Sequence, residues 1–255
     1  MAAPSGPDCC AGRFGGIAEQ PQYRQTKFRR PPGSTELFIV RHGESEPLVP
    51  GHPFPLVDGH GDPALAPEGE AQAERLADRL ETHQIDAIFV TSLRRTVQTA
   101  APLAARLGLE PIVERDLREV HLGEWEGELY RQRVAEGHPT AMRMITEERW
   151  DVIPGAESAD SLRERVSGAL RRIVAAHAGQ RVVVVAHGGV IAEIMAQVAD
   201  TRRAFAFLGC DNASISHVVS FGNRWILRRF NDTGHLDGDL DRPPDLDPEP
   251  QLPST

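Results

Sequence analysis

The stretch TELFIVRHGESE, residues 35–46, is a short apolar run that ends in an arginine, a histidine and a glycine. The four residues before Arg41 are typical of a buried strand, whereas Arg41 and His42 are side chains that strand interiors exclude unless something binds them. The same pattern returns in RVVVVAHGGVIAE, residues 181–193, where His187 follows a run of valines. We therefore expect two strands to deliver two histidines to one edge of one sheet.

Strand and helix signals alternate on both sides of these runs. This alternation predicts an α/β fold with a mostly parallel central sheet and helices on both faces, mixed at one edge if the last two strands form a hairpin. Polar residues placed at the carboxyl ends of its strands would line a ligand site. The predicted elements are a helix from Pro67, a strand over 86–90, a helix with Leu93, Val97, Ala100, Ala104 and Leu107 at helical spacing and Gly108 at its end, a helix capped by Asp160 or Ser161, a helix from about Val190, and strands in ASISHVVSF and WILRRF.

Composition divides the chain into three parts. Residues 1–34 are rich in Gly, Pro and Gln without periodicity and are predicted to be a disordered leader. Residues 35–231 are predicted to form one catalytic domain. Residues 232–255 form an acidic, Pro-rich tail that is predicted to be disordered because it cannot bury a core.

The bulk composition excludes several classes of function. A formal net charge of -9 is not the basic footprint of a nucleic-acid-binding protein. No apolar run reaches the ~20 residues of a membrane span, and the first residues lack a signal-peptide core. The three cysteines, Cys9, Cys10 and Cys210, form no disulfide framework, so a reducing cytoplasm is the expected location. Lys27 is the only lysine, which argues against Schiff-base chemistry and a P-loop.

The residues at the strand ends suit the chemistry of a phosphoryl group. A neutral imidazole is a nucleophile, and guanidinium groups match phosphate oxygens bidentately. Arg41, one of the arginines at 94 and 95, and a second imidazole could align a phosphoryl group for attack by His42. Gly43 would let the backbone approach the anion without a Cβ. The leaving oxygen needs a proton, for which LREVHLGEWEG offers Glu119 and Glu124.

Four segments, LFIVRHGES, TSLRRTVQTA, LREVHLGEWEG and VVVVAHGGVI, resemble the motifs of the histidine phosphatase superfamily, also called the phosphoglycerate mutase-like family. The resemblance covers roughly residues 36–231 and implies a three-layer α/β/α sandwich without a metal or other cofactor. It prefers Arg95 to Arg94, because the family places its arginine directly before Ala or Thr, here Thr96. It implies a phosphohistidine at His42 and proton transfer by Glu119. The implied catalytic residues are Arg41, His42, Arg95, Glu119 and His187, and the implied substrate-binding residues are Arg41, Gly43, Ser45, Arg95, His187 and Gly188.

One position departs from that family. Several members carry an asparagine seven residues after the motif arginine, where this chain has Leu48. A contact to phosphate is therefore expected to be missing, while the core roles are unaffected. Asp58, His60 and their neighbours His52 and Asp62 superficially suggest a metal cluster, but their spacing fits no zinc pattern.

Three functions are compatible with these motifs. A phosphatase of small phosphorylated metabolites is the first, and the segment GEWEG resembles phosphatase members. A phosphoglycerate mutase is the alternative, although mutases of the family carry NERHYG where this chain has REVHLG. A non-catalytic phosphoryl-binding protein is the third. The substrate would be selected by the 46–66 loop and by residues 130–158, where Arg131, Arg133 and Arg143 could meet a second acidic group. No nucleic acid or membrane partner is expected, and a homodimer is a candidate assembly.

Overall fold

The apolar runs before His42 and His187 lie side by side in one central sheet. The computed structural model of the protein describes residues 24–236. Its strands are β1 (Thr35–Arg41), β2 (Leu56–Val57), β3 (His60–Gly61), β4 (Ala87–Val90), β5 (Ile112–Val113), β6 (Arg181–Ala186), β7 (Ile215–Phe221) and β8 (Arg224–Asp232). Its helices are α1 (Pro67–Leu80), α2 (Arg94–Leu107), α3 (Leu129–Ala135), α4 (Pro139–Thr146), α5 (Ala159–Ala176) and α6 (Gly188–Val198), with short 3₁₀ turns at Arg115–Leu117, Gly123–Trp125 and Ala204–Phe207.

The main sheet of the described residues has the strand order β5-β4-β6-β1-β7-β8. β1 pairs with β6 in parallel, in a register that aligns Arg41 with Ala186, the residue before His187. β4 and β5 extend the parallel part, whereas β7 and β8 are antiparallel at the other edge. The predicted mostly parallel sheet with a terminal hairpin is confirmed. The register explains why both histidines leave the sheet at the same edge.

Helices cover both faces of this sheet. Alternate residues of the strands point to opposite faces. On one face, Phe38, Val40 and their neighbours pack with α1 and α2. On the other face, Leu37, Ile39 and the alternate valines of β6 pack with α5 and α6. The valine run in β6 is apolar at every position because both of its faces are buried. The predicted three-layer α/β/α sandwich is confirmed.

Some predicted element boundaries hold and others are corrected. α2 ends at Gly108, which has a φ of +64° that glycine adopts without strain. The predicted cap of α5 was wrong: the hydroxyl of Ser158, upstream of both Asp160 and Ser161, accepts the backbone N–H of Ser161 at 3.2 Å. Of the apolar residues at helical spacing in α2, Val97 is exposed, whereas Leu93, Ala100 and Ala104 are buried.

The ends of the described region pack against the domain. Arg30 donates to the carboxylate of Glu36 and to the carbonyl of Gly179. β8 continues to Asp232, and the imidazole of His235 then donates to the carbonyl of Ala213 at 3.1 Å. The predictions of disorder for residues 1–23 and 237–255 lie outside the described residues. Within residues 24–236, none of the helices has the length and apolar character that crossing a bilayer requires.

Candidate active site

His42 leaves the carboxyl end of β1 and is buried. Its backbone N–H donates to the carbonyl of Ala186 at 3.0 Å, which continues the pairing of β1 with β6. Its ring Nδ1 lies 2.7 Å from the carbonyl oxygen of Gly43. Because a carbonyl can only accept, Nδ1 carries the proton and Nε2 keeps its lone pair in the neutral ring. The nitrogen available for bond formation is therefore Nε2.

His187 occupies the matching position after β6. Its ring centroid lies 5.2 Å from that of His42, so the two histidines that the sequence separates meet as expected. Its Nε2 is hydrogen-bonded to the hydroxyl of Thr91 at 3.0 Å, and Thr91 is in turn bonded to Thr96. Its Nδ1 is buried without a hydrogen-bond partner. A buried polar atom without a partner is energetically unfavourable unless a ligand binds it.

Arg41 lies between the same two strand ends. Its guanidinium donates to the carbonyl of Cys210, while its Nε is buried without a partner. A Cβ placed on Gly188 would lie 3.7 Å from that Nε, so Arg41 borders the beginning of α6 directly after His187. Two unpartnered nitrogens, Arg41 Nε and His187 Nδ1, are thus found at one place, as in a site built for an anion.

The two adjacent arginines at the beginning of α2 have separate partners. Arg94 points to Asp62, whose carbonyl accepts from it at 2.7 Å and whose carboxylate lies 3.6 Å from its Nε. Arg95 is buried and donates to the carbonyl of Gly61 at 3.0 Å. Consecutive helical residues point about 100° apart, so only one of the pair can face the histidines. Arg95 is the one of the two whose charge acts on both His42 and His187.

The electrostatics of the site favour neutral imidazoles beside fixed positive charge. Burial, together with the guanidiniums of Arg95 and Arg41, holds the pKa of His42 well below its ordinary value. Burial and Arg95 do the same for the pKa of His187. Burial lowers the pKa of Arg95 to about 10, which still leaves it charged at neutral pH. A neutral nucleophile surrounded by guanidiniums suits an electrophile that carries negative charge.

Glu119 is brought to the same edge of the sheet by the N-terminus of α6. Its carboxylate accepts the backbone N–H groups of Gly189 at 3.4 Å and Val190 at 3.3 Å. A Cβ on Gly189 would lie 2.9 Å from Oε1 of Glu119 and 2.6 Å from Val120, so the second glycine of HGG makes room for this segment. Glu124, the other candidate acid, is exposed on the 3₁₀ turn Gly123–Trp125.

Three further predicted binding residues lie around the histidines. The N–H of Gly43 donates to the hydroxyl of Thr99 at 2.9 Å, and its Cβ position is filled by the backbone of Gly69, 2.6 Å away. The structure therefore explains Gly43 by the close approach of α1 rather than by an approaching anion. Ser45 is buried and accepts from Arg131 at 2.7 Å. Gly188 is the first residue of α6.

The 46–66 loop folds over the site but shows no metal centre. It contains the β2–β3 hairpin, in which the exposed Asp58 binds Arg115 and Arg118. His60 is buried, and its ring nitrogens lie 3.1 Å from the carbonyls of Asp58 and Glu119. Within residues 24–236 no group of His, Cys, Asp and Glu is arranged to hold a metal ion. His52 is exposed on the same loop.

Several neighbours of the site were missed by sequence reasoning. Thr91 and Thr96 orient His187, and the amide of Asn212 donates to the backbone carbonyl of His42 at 3.0 Å. Arg131, from α3, reaches the carbonyl of Glu46 and the ring of Phe54. Thr91 and Thr96 lie in the segment TSLRRTVQTA, but that motif indicated a role only for its arginine, and Asn212 lies in none of the four motifs. Arg131 belongs to the segment that the sequence predicted to cover the site.

Comparisons with known proteins agree with this geometry. The family model of the histidine phosphatase superfamily (branch 1) matches residues 37–233. Phosphoserine phosphatase 1 of Hydrogenobacter thermophilus is 35% identical over 204 residues, which are 79% of this chain and 94% of that protein. Phosphoglycerate mutase-like protein 4 of Arabidopsis thaliana is 35% identical over 210 residues, 79% of this chain and 87% of that protein.

Solved structures give the same result. A mycobacterial glucosyl-3-phosphoglycerate phosphatase superposes with a TM-score of 0.67 at 29% identity, covering 78% of this chain and all (100%) of that one. The residues that the family model matches, 37–233, include both histidines and nearly all of the sheet and its helices. The chain belongs to the histidine phosphatase superfamily.

Proposed function

We propose that the protein is a phosphatase that hydrolyses a small phosphomonoester through a phosphohistidine at His42. The observation that carries this proposal is the meeting of two buried imidazoles, 5.2 Å apart, with the guanidiniums of Arg41 and Arg95. Such a set matches a tetrahedral dianion and supplies a nucleophile without a metal. The phosphatase names of several relatives support it.

In the first half-reaction, Nε2 of His42 attacks phosphorus and the bond from phosphorus to the ester oxygen breaks. Arg41, Arg95 and His187 hold the three remaining oxygens and balance their charge. Glu119, in its protonated form, gives its proton to the leaving oxygen, so that an alcohol departs rather than an alkoxide.

In the second half-reaction, water replaces the alcohol. Glu119, now a carboxylate, accepts a proton from the water as its oxygen attacks phosphorus. The bond from Nε2 to phosphorus breaks, and inorganic phosphate is released with His42 restored. The N–H groups of Gly189 and Val190, which already bind this carboxylate, hold it in place between the two steps.

The proposal extends to conditions and location. We propose that hydrolysis needs no metal ion, and one relative, 34% identical, is named a metal-independent phosphoserine phosphatase. We also propose a cytoplasmic location and a small phosphorylated metabolite as substrate, without a nucleic acid or membrane partner. A homodimer remains a prediction that sedimentation analysis would test.

The deciding experiment compares His42→Ala with the wild type on para-nitrophenyl phosphate in the presence of a chelator. Wild-type protein should hydrolyse the ester and His42→Ala should not, because no other group can replace Nε2. His52→Ala, which removes an exposed histidine of the neighbouring loop, is the control and should stay active. Full hydrolysis by His42→Ala would rule out the phosphohistidine route.

The mutase alternative has support from relatives named probable phosphoglycerate mutase, which are 27–29% identical. It is separated by assaying conversion of 3-phosphoglycerate to 2-phosphoglycerate with and without a bisphosphate primer. A phosphatase should release inorganic phosphate under both conditions. Primer-dependent isomerisation without release would replace the proposed activity by a mutase.

A further inference from the structure

Arg165, on α5, makes an unusually complete set of contacts outside the imidazole pair. Its Nε and one terminal nitrogen donate to the two carboxylate oxygens of Glu157 at 2.8 and 2.7 Å. The remaining N–H groups reach three backbone carbonyls, one in the 3₁₀ turn Arg115–Leu117 and two in the loop that follows it. These are the carbonyls of Asp116 at 2.7 Å, Arg118 at 2.8 Å and Glu119 at 3.0 Å. All five donors of the guanidinium are thereby used.

The loop that Arg165 holds is the one that carries Glu119. It runs between the 3₁₀ turns Arg115–Leu117 and Gly123–Trp125 and so has no helix or strand of its own at Glu119. Glu157 binds the far side of the same loop, since its N–H donates to the carbonyl of His121 at 2.8 Å. The Arg165–Glu157 pair therefore fixes the backbone before and after residue 120.

We infer that Arg165 is a positioning residue that sets the place of the Glu119 carboxyl through the backbone of its loop. The side chain of Arg165 is 20% exposed and that of Glu157 is 10% exposed, so the pair is largely shielded from water and holds a fixed geometry. A lysine cannot substitute, because an ammonium lacks the planar fork that reaches several acceptors at once. The inference rests on the proposed role of Glu119 in proton transfer.

The ring of a second residue, His60, also packs at the Glu119 carbonyl. His60 lies 3.1 Å from that oxygen, from the side of the β2–β3 hairpin. Loss of Arg165 should therefore loosen the loop rather than release it. A displacement on the order of 1 Å at a catalytic group can reduce the rate by roughly a hundredfold, so an intermediate effect is expected.

The test compares kcat/KM for two aryl phosphates of similar size. Para-nitrophenolate leaves without a proton, whereas the leaving oxygen of phenyl phosphate needs one. The value of kcat/KM reports the first half-reaction, and in that half-reaction only phenyl phosphate depends on the placement of Glu119, whose later role as base for water is common to both substrates. We expect Arg165→Lys to lower kcat/KM for phenyl phosphate by roughly tenfold or more and that for para-nitrophenyl phosphate by less than about threefold. Glu119→Gln should show the same selectivity in stronger form.

Arg172→Lys is the matched control. Arg172 also lies on α5 and binds the carboxylates of Glu114 and Asp116 in the same region, but donates to no carbonyl of the loop. Arg172→Lys should leave the ratio of kcat/KM between the two substrates unchanged. If Arg165→Lys does not fold, Glu157→Gln, which weakens the anchor of the same guanidinium, should shift the ratio in the same direction.

The outcomes separate this inference from the proposed function. Arg165 does not position Glu119 if Glu119→Gln is selective but Arg165→Lys lowers kcat/KM equally for both substrates, or for neither. If Glu119→Gln itself shows no selectivity, its assignment as proton donor fails, and the inference about Arg165 fails with it.

Discussion

His42 shows how opposing effects on one side chain decide its chemistry. The hydrogen bond to the carbonyl of Gly43 favours the protonated ring, whereas burial and the charges of Arg95 and Arg41 oppose it. The opposing effects prevail, since the pKa of His42 lies well below its ordinary value. The imidazole is thus ready to attack at neutral and mildly acidic pH, where a free histidine would begin to gain a proton.

The same shift predicts how stability depends on pH. In the unfolded chain His42 regains its ordinary pKa of 6.5. Below that pH the unfolded state therefore binds a proton that the folded state does not bind. The free energy of unfolding therefore falls as the pH falls from about 6.5 towards the folded-state pKa. This histidine contributes a slope of up to about 1.4 kcal/mol per pH unit.

Urea unfolding between about pH 7 and about pH 5 measures that slope. His42→Gln should have a shallower dependence than the wild type, because its amide does not titrate. His52→Gln removes an exposed histidine and should keep the wild-type slope. Identical slopes for His42→Gln and wild type would mean that His42 contributes nothing to acid destabilisation.

At the scale of elements, a close backbone contact fixes the first loop of the site against α1. The carbonyl of Glu44 accepts the N–H of Ala66 at 2.9 Å, just before α1 begins. A Cβ on Gly69 would lie 2.0 Å from that carbonyl oxygen, and one on Gly43 would lie 2.6 Å from the carbonyl of Gly69. Neither backbone can move without shifting the segment that carries His42.

A pair of glycine-to-alanine variants tests this contact. Gly69→Ala should destabilise the protein by about 1–3 kcal/mol, as overpacking does, and should reduce phosphatase activity. Gly168→Ala, within α5, meets the flexible ends of Arg172 at 3.4 Å and Arg171 at 4.0 Å and should stabilise by about 0.5–1 kcal/mol through helix propensity. Chemical denaturation gives both values. Equal effects of the two variants would show that the α1 contact is unimportant.

The elements that sequence could predict are those with strong local signals. The β6 valine run, the periodic apolar face of α1 and the terminal Gly108 each signal their structure within a few residues. β5 gave no such signal, because its two residues, Ile112 and Val113, are exposed at the sheet edge. The cap of α5 was misplaced because Asp160 and Ser161 are equally good capping types, and only the backbone path selects Ser158.

At the scale of the whole molecule, the site is assembled from segments far apart in the chain. Arg41 and His42 follow β1, Arg95 begins α2, and His187 follows β6. An anion held by all of them binds only the folded protein and so stabilises the entire domain. This local positive charge exists in a chain whose formal net charge is -9.

Inorganic phosphate should therefore raise the melting temperature. At a concentration about one hundred times Kd the gain is about 2.7 kcal/mol, which corresponds to a rise of roughly 5–10 °C for a domain of this size. Arg95→Gln should lose most of this rise, whereas Arg94→Gln, whose side chain binds Asp62, should retain it. Differential scanning calorimetry measures both. Loss of the rise in Arg94→Gln but not in Arg95→Gln would reverse the assignment.

Arg41, His42 and His187 were predictable because they sit beside glycines at strand ends. Arg95, at the beginning of α2, was indicated by the family motif. The residues that support the site were not predictable. Thr91 acts through its contact to His187, which is 96 positions away in the sequence. Arg165 acts through its contact to Glu119, which is 46 positions away. No local pattern distinguishes such residues from an ordinary threonine or a solvated helical arginine. Contacts of this kind form only when folding brings distant segments of the chain together.

The bond from Nδ1 of His42 to the Gly43 carbonyl has a consequence for the lifetime of the proposed intermediate. Once phosphorus is attached to Nε2, the ring that keeps its Nδ1 proton becomes a cation, and a cationic imidazole is a good leaving group. The carbonyl dipole stabilises that cation and so keeps the enzyme from being trapped in its phosphorylated form. Protonation of the phosphorylated ring also makes the adduct short-lived in acid. Protein that carries a labelled phosphoryl group should therefore keep the label in alkaline denaturant and lose it in acid.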